Sequence, residues 1–110
     1  MANLEYDVPV TSKSIFAVAS MSKQFTAFCI ALLARAGKLS LDDDIRKYLP
    51  YIPDFNVKIS IRNLLTHTSG LRDEWQDLEI AGYRLDDIIT QDQIIKMVSK
   101  QRGLNFKPGE

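Results

Sequence analysis

The most regular apolar pattern in the chain lies between residues 20 and 37. Apolar side chains recur there at the i, i+3, i+4, i+7 spacing of an amphipathic helix, at Met21, Phe25, Phe28, Cys29, Leu32, Leu33 and Ala36. No proline or glycine interrupts the pattern before Gly37, which can adopt the left-handed conformation that ends many helices. The pattern therefore predicts a buried helix that ends at Gly37, with Cys29 as a small core residue.

The segments on either side of this helix carry shorter patterns. Residues 1–10 are short and mixed and are closed by Pro9, which is typical of the tail of an edge strand or an extended lead-in. Residues 15–18 are apolar and predict a short buried approach to the helix, that is, a segment that leads into it and orients Ser20. Residues 39–45 predict a turn into a short helix whose first turn holds acidic side chains, where the helix dipole favours them.

A second short helix is predicted near the only histidine. Ser60 fits the N-cap of a helix over residues 61–66, with Gly70 ending the turn. His67 invites a catalytic interpretation, but a Ser-His hydrolase also needs an orienting carboxylate that the sequence does not identify. We expect a hydrogen-bonded structural role for His67 and Ser69, with direct chemistry as the less common alternative.

The last third of the chain is harder to interpret. Residues 71–89 show no clean apolar period, and Trp75 is expected to be a core residue. From Thr90 the apolar positions again follow helical spacing, and they predict a helix to about Arg102, stopped by Gly103. The predicted elements are thus mainly helical.

Composition and charge exclude several classes of function. The chain has 110 residues, of which 45% are hydrophobic and 25% charged, as expected for one globular domain or part of one. Its fourteen basic and fourteen acidic residues cancel, and no basic stripe interleaved with aromatics provides a nucleic-acid footprint. The longest apolar run, residues 27–34, is far shorter than the roughly 20 residues of a membrane span. The first residues lack the features of a signal peptide, which leaves localisation open.

The strongest candidate chemistry is the pair formed by Ser20 and Lys23. Lys23 falls in the first turn of the predicted helix, where the dipole disfavours a positive charge. Residues three apart on a helix are neighbours, so the Lys23 ammonium can reach the Ser20 hydroxyl. A lysine can activate a serine only when its pKa falls toward the working pH, which would require a closed pocket around residues such as Phe16 and Phe25. Spacing alone favours a helix start with a solvated lysine over a catalytic pair.

The acidic triplet at residues 42–44 invites a metal-site hypothesis. Three adjacent Asp residues without partners at ligand spacing, and without the Gly and Glu of an EF-hand, are more typical of a helix cap and a solvated face. The single cysteine excludes an internal disulfide. We therefore predict neither a metal nor a cofactor.

Several motifs in one order resemble those of the serine beta-lactamase-related family, which includes class C beta-lactamases, penicillin-binding D-alanyl-D-alanine peptidases and related esterases. The likeness runs from about Asn3 to the end of the chain. The motifs read Ala-Ser-Met-Ser-Lys-Gln-Phe-Thr-Ala at 19–27, Gly-Lys-Leu-Ser-Leu-Asp-Asp at 37–43, Tyr-Leu-Pro at 48–50, Leu-Leu-Thr-His-Thr-Ser-Gly-Leu at 64–71 and Phe-Lys-Pro-Gly-Glu at 106–110. The resemblance implies that Ser20 is the acylated nucleophile, that Lys23 helps to deprotonate it, and that the motif around His67 is scaffold.

The same resemblance implies that residues 1–110 form a single partial domain. Related enzymes have sheet strands upstream, and they complete the site with a Tyr-x-Asn motif and a Lys-Thr-Gly or His-x-Gly strand that supplies an oxyanion-hole donor. None of the four tyrosines here has Asn two residues later, and no Lys-Thr-Gly occurs. We expect a mainly α segment of an α/β fold of the beta-lactamase/transpeptidase type, whose sheet lies mostly outside this chain.

These observations predict a serine hydrolase or acyl-transfer enzyme that uses a Ser-x-x-Lys acyl-enzyme mechanism. Beta-lactam, D-alanyl peptide and ester substrates all remain open, because the specificity-determining walls of the family lie largely outside this stretch. The alternative is a truncated, non-catalytic member that acts as a helical binding or association domain, with self-association through exposed apolar surface. The 110 residues alone are expected to be inactive.

Overall fold

The computed structural model describes residues 1–84 and 86–110. The described residues form four α-helices: α1 (Ser22–Arg35), α2 (Ile61–Leu65), α3 (Glu74–Ile80) and α4 (Gln91–Val98). Two 3₁₀ turns cover Ala19–Met21 and Ile45–Lys47. Within these residues β pairing is limited to isolated bridges, so the segment is mainly helical, as predicted. No helix in the described part combines the length and apolar character that a membrane crossing requires.

The chain divides into two compact units, Met1–Ile30 and Ala31–Glu110. The first unit begins with a closed turn rather than an edge strand, because the Val8 amide donates a hydrogen bond of 3.0 Å to the Asn3 carbonyl. The Asn3 side chain stabilises this turn by accepting a 2.9 Å hydrogen bond from the Tyr6 amide. Residues 15–18 are exposed, including Ile15 at 98%, so the predicted buried approach is wrong.

Helix α1 ends where the sequence predicts. The Lys38 amide donates to the Leu33 carbonyl and the Gly37 amide to the Ala34 carbonyl, each at 3.0 Å. These are the two hydrogen bonds of a Schellman motif, and Gly37 has the left-handed φ of 66° that the motif requires. The role of Gly37 is therefore confirmed.

The predicted burial of α1 is wrong for the described residues. No residue of the helix is buried, and Phe25 and Phe28 are 67% and 63% exposed. Cys29 is also exposed, so it is not a core residue here. An apolar stripe identifies the face that a helix would bury, but burial also needs a covering surface, which the described residues do not provide.

The apolar core lies in the second unit and is built from isoleucines and one leucine. Its members are Ile45, Ile52, Ile59, Ile61 and Leu78, all less than 9% exposed. Two extended segments pair antiparallel beside it: the Ile45 amide donates to the Ile59 carbonyl at 2.9 Å, and the Ile61 amide donates to the Asp43 carbonyl at 3.1 Å. This pairing brings isoleucines that are distant in sequence into the same cluster.

The short helix predicted after Gly37 is a single 3₁₀ turn over Ile45–Lys47. Its acidic residues precede the turn instead of lying in it, because Asp44 is the N-cap and its carboxylate accepts a 2.9 Å hydrogen bond from the Arg46 amide. An Asp side chain at an N-cap satisfies an amide that the turn leaves free.

Helix α2 starts at the predicted cap. The Ser60 hydroxyl accepts a hydrogen bond of 3.2 Å from the Asn63 amide, and the Asn63 side chain accepts one of 3.0 Å from the Ser60 amide. This reciprocal pair is a capping box, which confirms Ser60 as the N-cap. The helix ends at Leu65, one residue before the predicted end.

Residues 71–89 contain a helix that the sequence analysis missed. Helix α3 is capped by Asp73 and ends in a second Schellman motif, in which Gly82 has a φ of 89°. Leu78 is the buried residue of this helix, whereas Trp75 is 50% exposed, so the expectation that Trp75 is core is wrong. The indole is the larger side chain, but its position near the start of α3 leaves half of it in solvent.

Helix α4 begins as predicted and ends early. Thr90 is the N-cap and forms a capping box with Gln93. The helix stops at Val98 rather than near Arg102, because the amides of Lys100 and Gln101 bond to carbonyls three residues earlier instead of four. Gln101 is buried, and its side-chain amide donates a 3.1 Å hydrogen bond to the Asp77 carboxylate of α3, which joins the two helices.

Candidate active site

Ser20 and Lys23 are in direct contact in the first unit. The Lys23 Nζ donates a hydrogen bond of 2.9 Å to the Ser20 Oγ. Ser20 lies in the 3₁₀ turn over Ala19–Met21, and Lys23 is the second residue of α1. The three-residue spacing thus gives the side-chain contact that helix geometry predicts.

The local backbone holds this contact by running the 3₁₀ turn directly into α1. The Met21 amide donates a 3.1 Å hydrogen bond to the Val18 carbonyl, which closes a four-residue turn around Ala19 and Ser20. The Ser22 amide then donates to the Ala19 carbonyl as the α-helix begins. Because there is no break between turn and helix, Ser20 and Lys23 have a fixed register.

Both side chains of the pair are exposed to solvent in the described structure. Phe16 and Phe25, the residues expected to close a pocket around the lysine, are themselves exposed, at 62% and 67%. Among the described residues no carboxylate forms an ion pair with Lys23. The arrangement supplies a nucleophile next to an amine, whereas the closed pocket that would neutralise the amine is not formed by these residues.

His67 ends α2 in a conformation that usually requires glycine. Its φ is 58°, and its amide donates a 3.2 Å hydrogen bond to the Leu64 carbonyl. The following amide, of Thr68, donates at 2.8 Å to the Asn63 carbonyl, which completes a Schellman motif with His67 at the left-handed position predicted for Gly70. The imidazole is exposed and makes no hydrogen bond with the described residues, so the structural role of His67 is carried by its backbone.

Two of the family-like segments of the second unit, residues 64–71 and 106–110, contact each other. The Asn105 amide donates to the Gly70 carbonyl and the Gly109 amide donates to the Thr68 carbonyl, both at 2.8 Å. Gly70 is buried with a φ of 74°, and a Cβ at this position would collide with the Phe106 carbonyl oxygen. The Ser69 hydroxyl accepts a 3.3 Å hydrogen bond from the Leu71 amide. Gly70 is therefore required by a close approach of two backbones.

Each carboxylate of the acidic triplet, residues 42–44, is hydrogen-bonded to another side chain of the second unit. Asp42 accepts a 3.0 Å hydrogen bond from the Arg62 Nε, and Asp44 pairs with Arg46 at 2.8 Å. Asp43 accepts hydrogen bonds from the Tyr48 hydroxyl at 2.6 Å and from Lys47 at 3.1 Å. The Tyr48 hydroxyl, the Ser40 amide and Lys47 together lower the pKa of Asp43 to about 2. The described residues contain no group of three or more His, Cys, Asp or Glu side chains arranged to hold a metal ion.

One feature of the site was missed by the sequence analysis. Ala19, which immediately precedes Ser20, has a positive φ of 45°. Alanine rarely adopts this conformation, so no residue-type signal marks the position, whereas a glycine there would have indicated a turn.

The chain matches a known family over its whole length. The family profile named Beta-lactamase matches residues 1–110. This chain belongs to the beta-lactamase family. Among its relatives, penicillin-binding protein 4* of Bacillus subtilis is 38% identical over 104 residues, which are 93% of this chain and 22% of that protein. The mitochondrial serine beta-lactamase-like protein LACTB of Bos taurus is 35% identical over 83 residues, which are 71% of this chain and 15% of that protein.

A third relative, a D-aminopeptidase of Brucella anthropi, is 30% identical over 109 residues, or 98% of this chain and 20% of that protein. This member of the beta-lactamase family thus spans about a fifth of the length of the curated relatives it matches. No solved structure matches the chain significantly. The relatives have different names, so membership identifies a family of serine hydrolases without selecting a substrate.

Proposed function

We propose that the protein carrying this chain is a serine acyl-transfer enzyme in which Ser20 is the nucleophile and Lys23 is its base. The observation that carries the proposal is the 2.9 Å hydrogen bond between Lys23 Nζ and Ser20 Oγ, in a chain that belongs to the beta-lactamase family. A serine hydroxyl becomes a useful nucleophile only when an adjacent group accepts its proton, and Lys23 is within hydrogen-bonding distance to do so.

In this mechanism the neutral amine of Lys23 accepts the hydroxyl proton while the Ser20 Oγ forms a bond to the substrate carbonyl carbon. The tetrahedral intermediate then collapses by breaking the bond between that carbon and the leaving nitrogen or oxygen, and the leaving group takes the proton from Lys23. Water attacks the resulting ester, which releases the acid and restores the Ser20 hydroxyl. The substrate is a beta-lactam, a D-alanyl peptide or an ester, and the chemistry needs neither a metal nor a cofactor.

The exposure of Lys23 defines what else the site needs. A lysine acts as a base only where desolvation or a second cation near it disfavours its charged form. We propose that residues 1–110 are one part of a larger domain, and that a Tyr-x-Asn motif and a Lys-Thr-Gly or His-x-Gly strand outside this chain close the pocket. A second oxyanion donor from such a strand would contribute about 10²–10³-fold to the rate.

A non-catalytic association domain is the second candidate function. It is favoured by the exposed apolar face of α1, on which Phe25 and Phe28 are more than 60% exposed. A contiguous exposed apolar patch of this kind is typical of a surface that binds another surface. The two candidates differ in whether Ser20 reacts with an acylating reagent.

The test is labelling of the complete protein with a fluorophosphonate and with a beta-lactam, followed by intact-mass analysis. We expect one adduct, located on Ser20 by peptide mapping and absent from Ser20→Ala, while Ser22→Ala, two residues away, labels normally. Lys23→Arg keeps the charge but cannot accept a proton near neutral pH, so it should acylate about 10²–10⁴-fold more slowly. Lys38→Arg, an exposed lysine just beyond α1, is the matched control.

Two results would contradict the proposal. One is an unchanged mass with both reagents on a folded complete protein, and the other is equal labelling of Ser20→Ala. If Lys23→Arg acylates as fast as Lys38→Arg, then Lys23 is a charge or packing residue and the base lies elsewhere.

A further inference from the structure

Ala19 has a backbone conformation that its side chain does not favour. Four described residues other than glycine have a positive φ: Asp7, Ala19, Asn56 and His67. Asp and Asn tolerate the left-handed region because their short polar side chains bond locally, and His67 closes the Schellman motif of α2. Ala19 has no polar side chain and ends no helix, so local chemistry does not account for its φ of 45°.

The position of Ala19 links this conformation to the Ser20–Lys23 pair. The hydrogen bond of 3.1 Å from the Met21 amide to the Val18 carbonyl makes Ala19 and Ser20 the two central residues of a turn. A positive φ at the first central position, followed by a negative φ at the second, is the pattern of turns that usually place glycine first. The positive φ of Ala19 therefore determines the direction in which the chain enters α1 and the position of Ser20 relative to Lys23.

We propose that Ala19 is a positioning residue for the Ser20–Lys23 pair, and that its left-handed backbone presents the Ser20 hydroxyl to the Lys23 amine. This inference rests on the proposed acyl-transfer function and adds a residue to it. Unfavourable backbone conformations persist where the surrounding structure imposes them, and they concentrate at functional sites. A nucleophile displaced by about 1 Å can lose about 10²-fold in rate, so the conformation of the preceding residue is a sensitive control of acylation.

Substitutions at Ala19 separate backbone conformation from side-chain size. Glycine and asparagine both accept a positive φ, whereas valine, which is β-branched, does not. Asparagine and valine are similar in bulk, so their difference reports on the backbone. We expect fluorophosphonate acylation of Ala19→Gly and Ala19→Asn within about fivefold of the parent, and a loss of about 100-fold or more in Ala19→Val.

The matched control is Ala17→Val, which makes the same change at an exposed alanine that lacks a positive φ. It should label at the parental rate. Saturation kinetics on the complete protein should assign the loss in Ala19→Val to the rate of bond formation and leave reversible probe binding unchanged. The pH dependence of acylation should change in Ala19→Val as well, because the serine no longer contacts its base. A purely structural role for Ala19 would alter the melting temperature without changing that profile.

Three outcomes overturn the inference: equal acylation of Ala19→Val and Ala17→Val, equal losses in Ala19→Asn and Ala19→Val, or a loss above tenfold in a folded Ala19→Gly. If Ala19→Val does not fold, the acylation rates of the Gly and Asn variants still test the inference, because both residues permit the observed backbone conformation. Failure of the proposed function is distinguishable, because then Ser20→Ala labels like the parent. If only Ala19 has been assigned wrongly, Ser20 still carries the adduct.

Discussion

His67 has a conformational role that could not be predicted from the chemistry of its side chain. The side chain invites a catalytic interpretation, but the structure places the residue at the left-handed position after α2, with an exposed imidazole. Non-glycine residues in this region are strained by about 1–2 kcal/mol, whereas glycine adopts it freely. The backbone geometry therefore offers a direct test of the structural role against the chemical one.

We predict that His67→Gly raises the free energy of unfolding by about 0.5–1 kcal/mol, because relief of strain exceeds the added entropy of an unfolded glycine. His67→Asn should be close to neutral, and His67→Val should destabilise, since valine fits a positive φ poorly. Urea unfolding of the three variants measures these changes, and fluorophosphonate labelling is expected to stay at the parental rate. A stable His67→Gly that labels at less than a tenth of that rate would instead assign the imidazole to the chemistry.

At the residue scale, the sequence predicts what depends on short-range spacing and known residue preferences. Ser20 and Lys23 are three positions apart, and the contact between their side chains follows from helix geometry. Gly37 ends α1 as its residue type indicates. The left-handed backbones of Ala19 and His67 could not be predicted, because alanine rarely adopts that region and most histidines lie outside it. The surrounding hydrogen bonds impose it at both positions.

Elements were predictable where a cap and an apolar period coincide. Ser60 and Thr90 cap α2 and α4 at the expected positions, because a capping box is a local signal. Helix α3 was missed because its seven residues bury only Leu78, which is too little for a period to appear. Its ends do carry signals, namely Asp73 at the N-cap and Gly82 at the left-handed position, and these would have bounded the helix.

The turn before the second 3₁₀ helix provides a pH-dependent test at the scale of an element. The Tyr48 hydroxyl, the Ser40 amide and Lys47 lower the pKa of Asp43 from 3.8 to about 2. The folded state favours the charged carboxylate of Asp43. Asp43 therefore stabilises the fold at pH values above the pKa that this carboxyl has in the unfolded chain. That contribution is lost as the pH falls from about 4 to about 2.

We predict that Asp43→Asn lowers stability at neutral pH and makes the decline in stability between pH 4 and pH 2 less steep than in the parent. Glu79→Gln, at an exposed carboxyl on α3 for which the described residues provide no hydrogen bond, should leave that slope unchanged. Urea midpoints at pH 4, 3 and 2 measure the effect. If the urea midpoints of the parent and of Asp43→Asn fall equally steeply between pH 4 and pH 2, the contacts of Asp43 with Tyr48 and Lys47 do not persist in solution.

At the scale of the whole molecule, apolar surface is distributed unevenly along the chain. Among the described residues, the buried hydrophobic side chains all belong to the second unit, between Ile45 and Leu78, and α1 has none. The sequence predicted the apolar stripe of α1 correctly and its burial wrongly, because a stripe carries no information about what covers it. The expectation that sheet strands outside these 110 residues provide that cover stays a prediction.

The exposed stripe leads to a prediction for the 110 residues expressed alone. We expect them to self-associate through α1 and to show no ester hydrolysis above background, because apolar patches of this kind drive association and the proposed base lacks a closed pocket. Analytical ultracentrifugation across protein concentrations should give a mass above the monomer. The double variant Phe25→Ser, Phe28→Ser should reduce that mass toward the monomer.

The matched control is the double variant Ile80→Ser, Ile88→Ser, which removes two apolar side chains that are even more exposed, at 85% and 89%, from outside α1. It should associate like the parent, because scattered exposed residues do not form the contiguous surface that association needs. Equal effects of the two double variants would show that general hydrophobicity, not the α1 stripe, drives association. A monomeric parent with strong amide protection across residues 25–36 would mean that α1 is covered within this chain. If that monomer also turned over esters and lost this activity in Ser20→Ala, the 110 residues would hold a complete site, and the proposal that the pocket is closed from outside would be wrong.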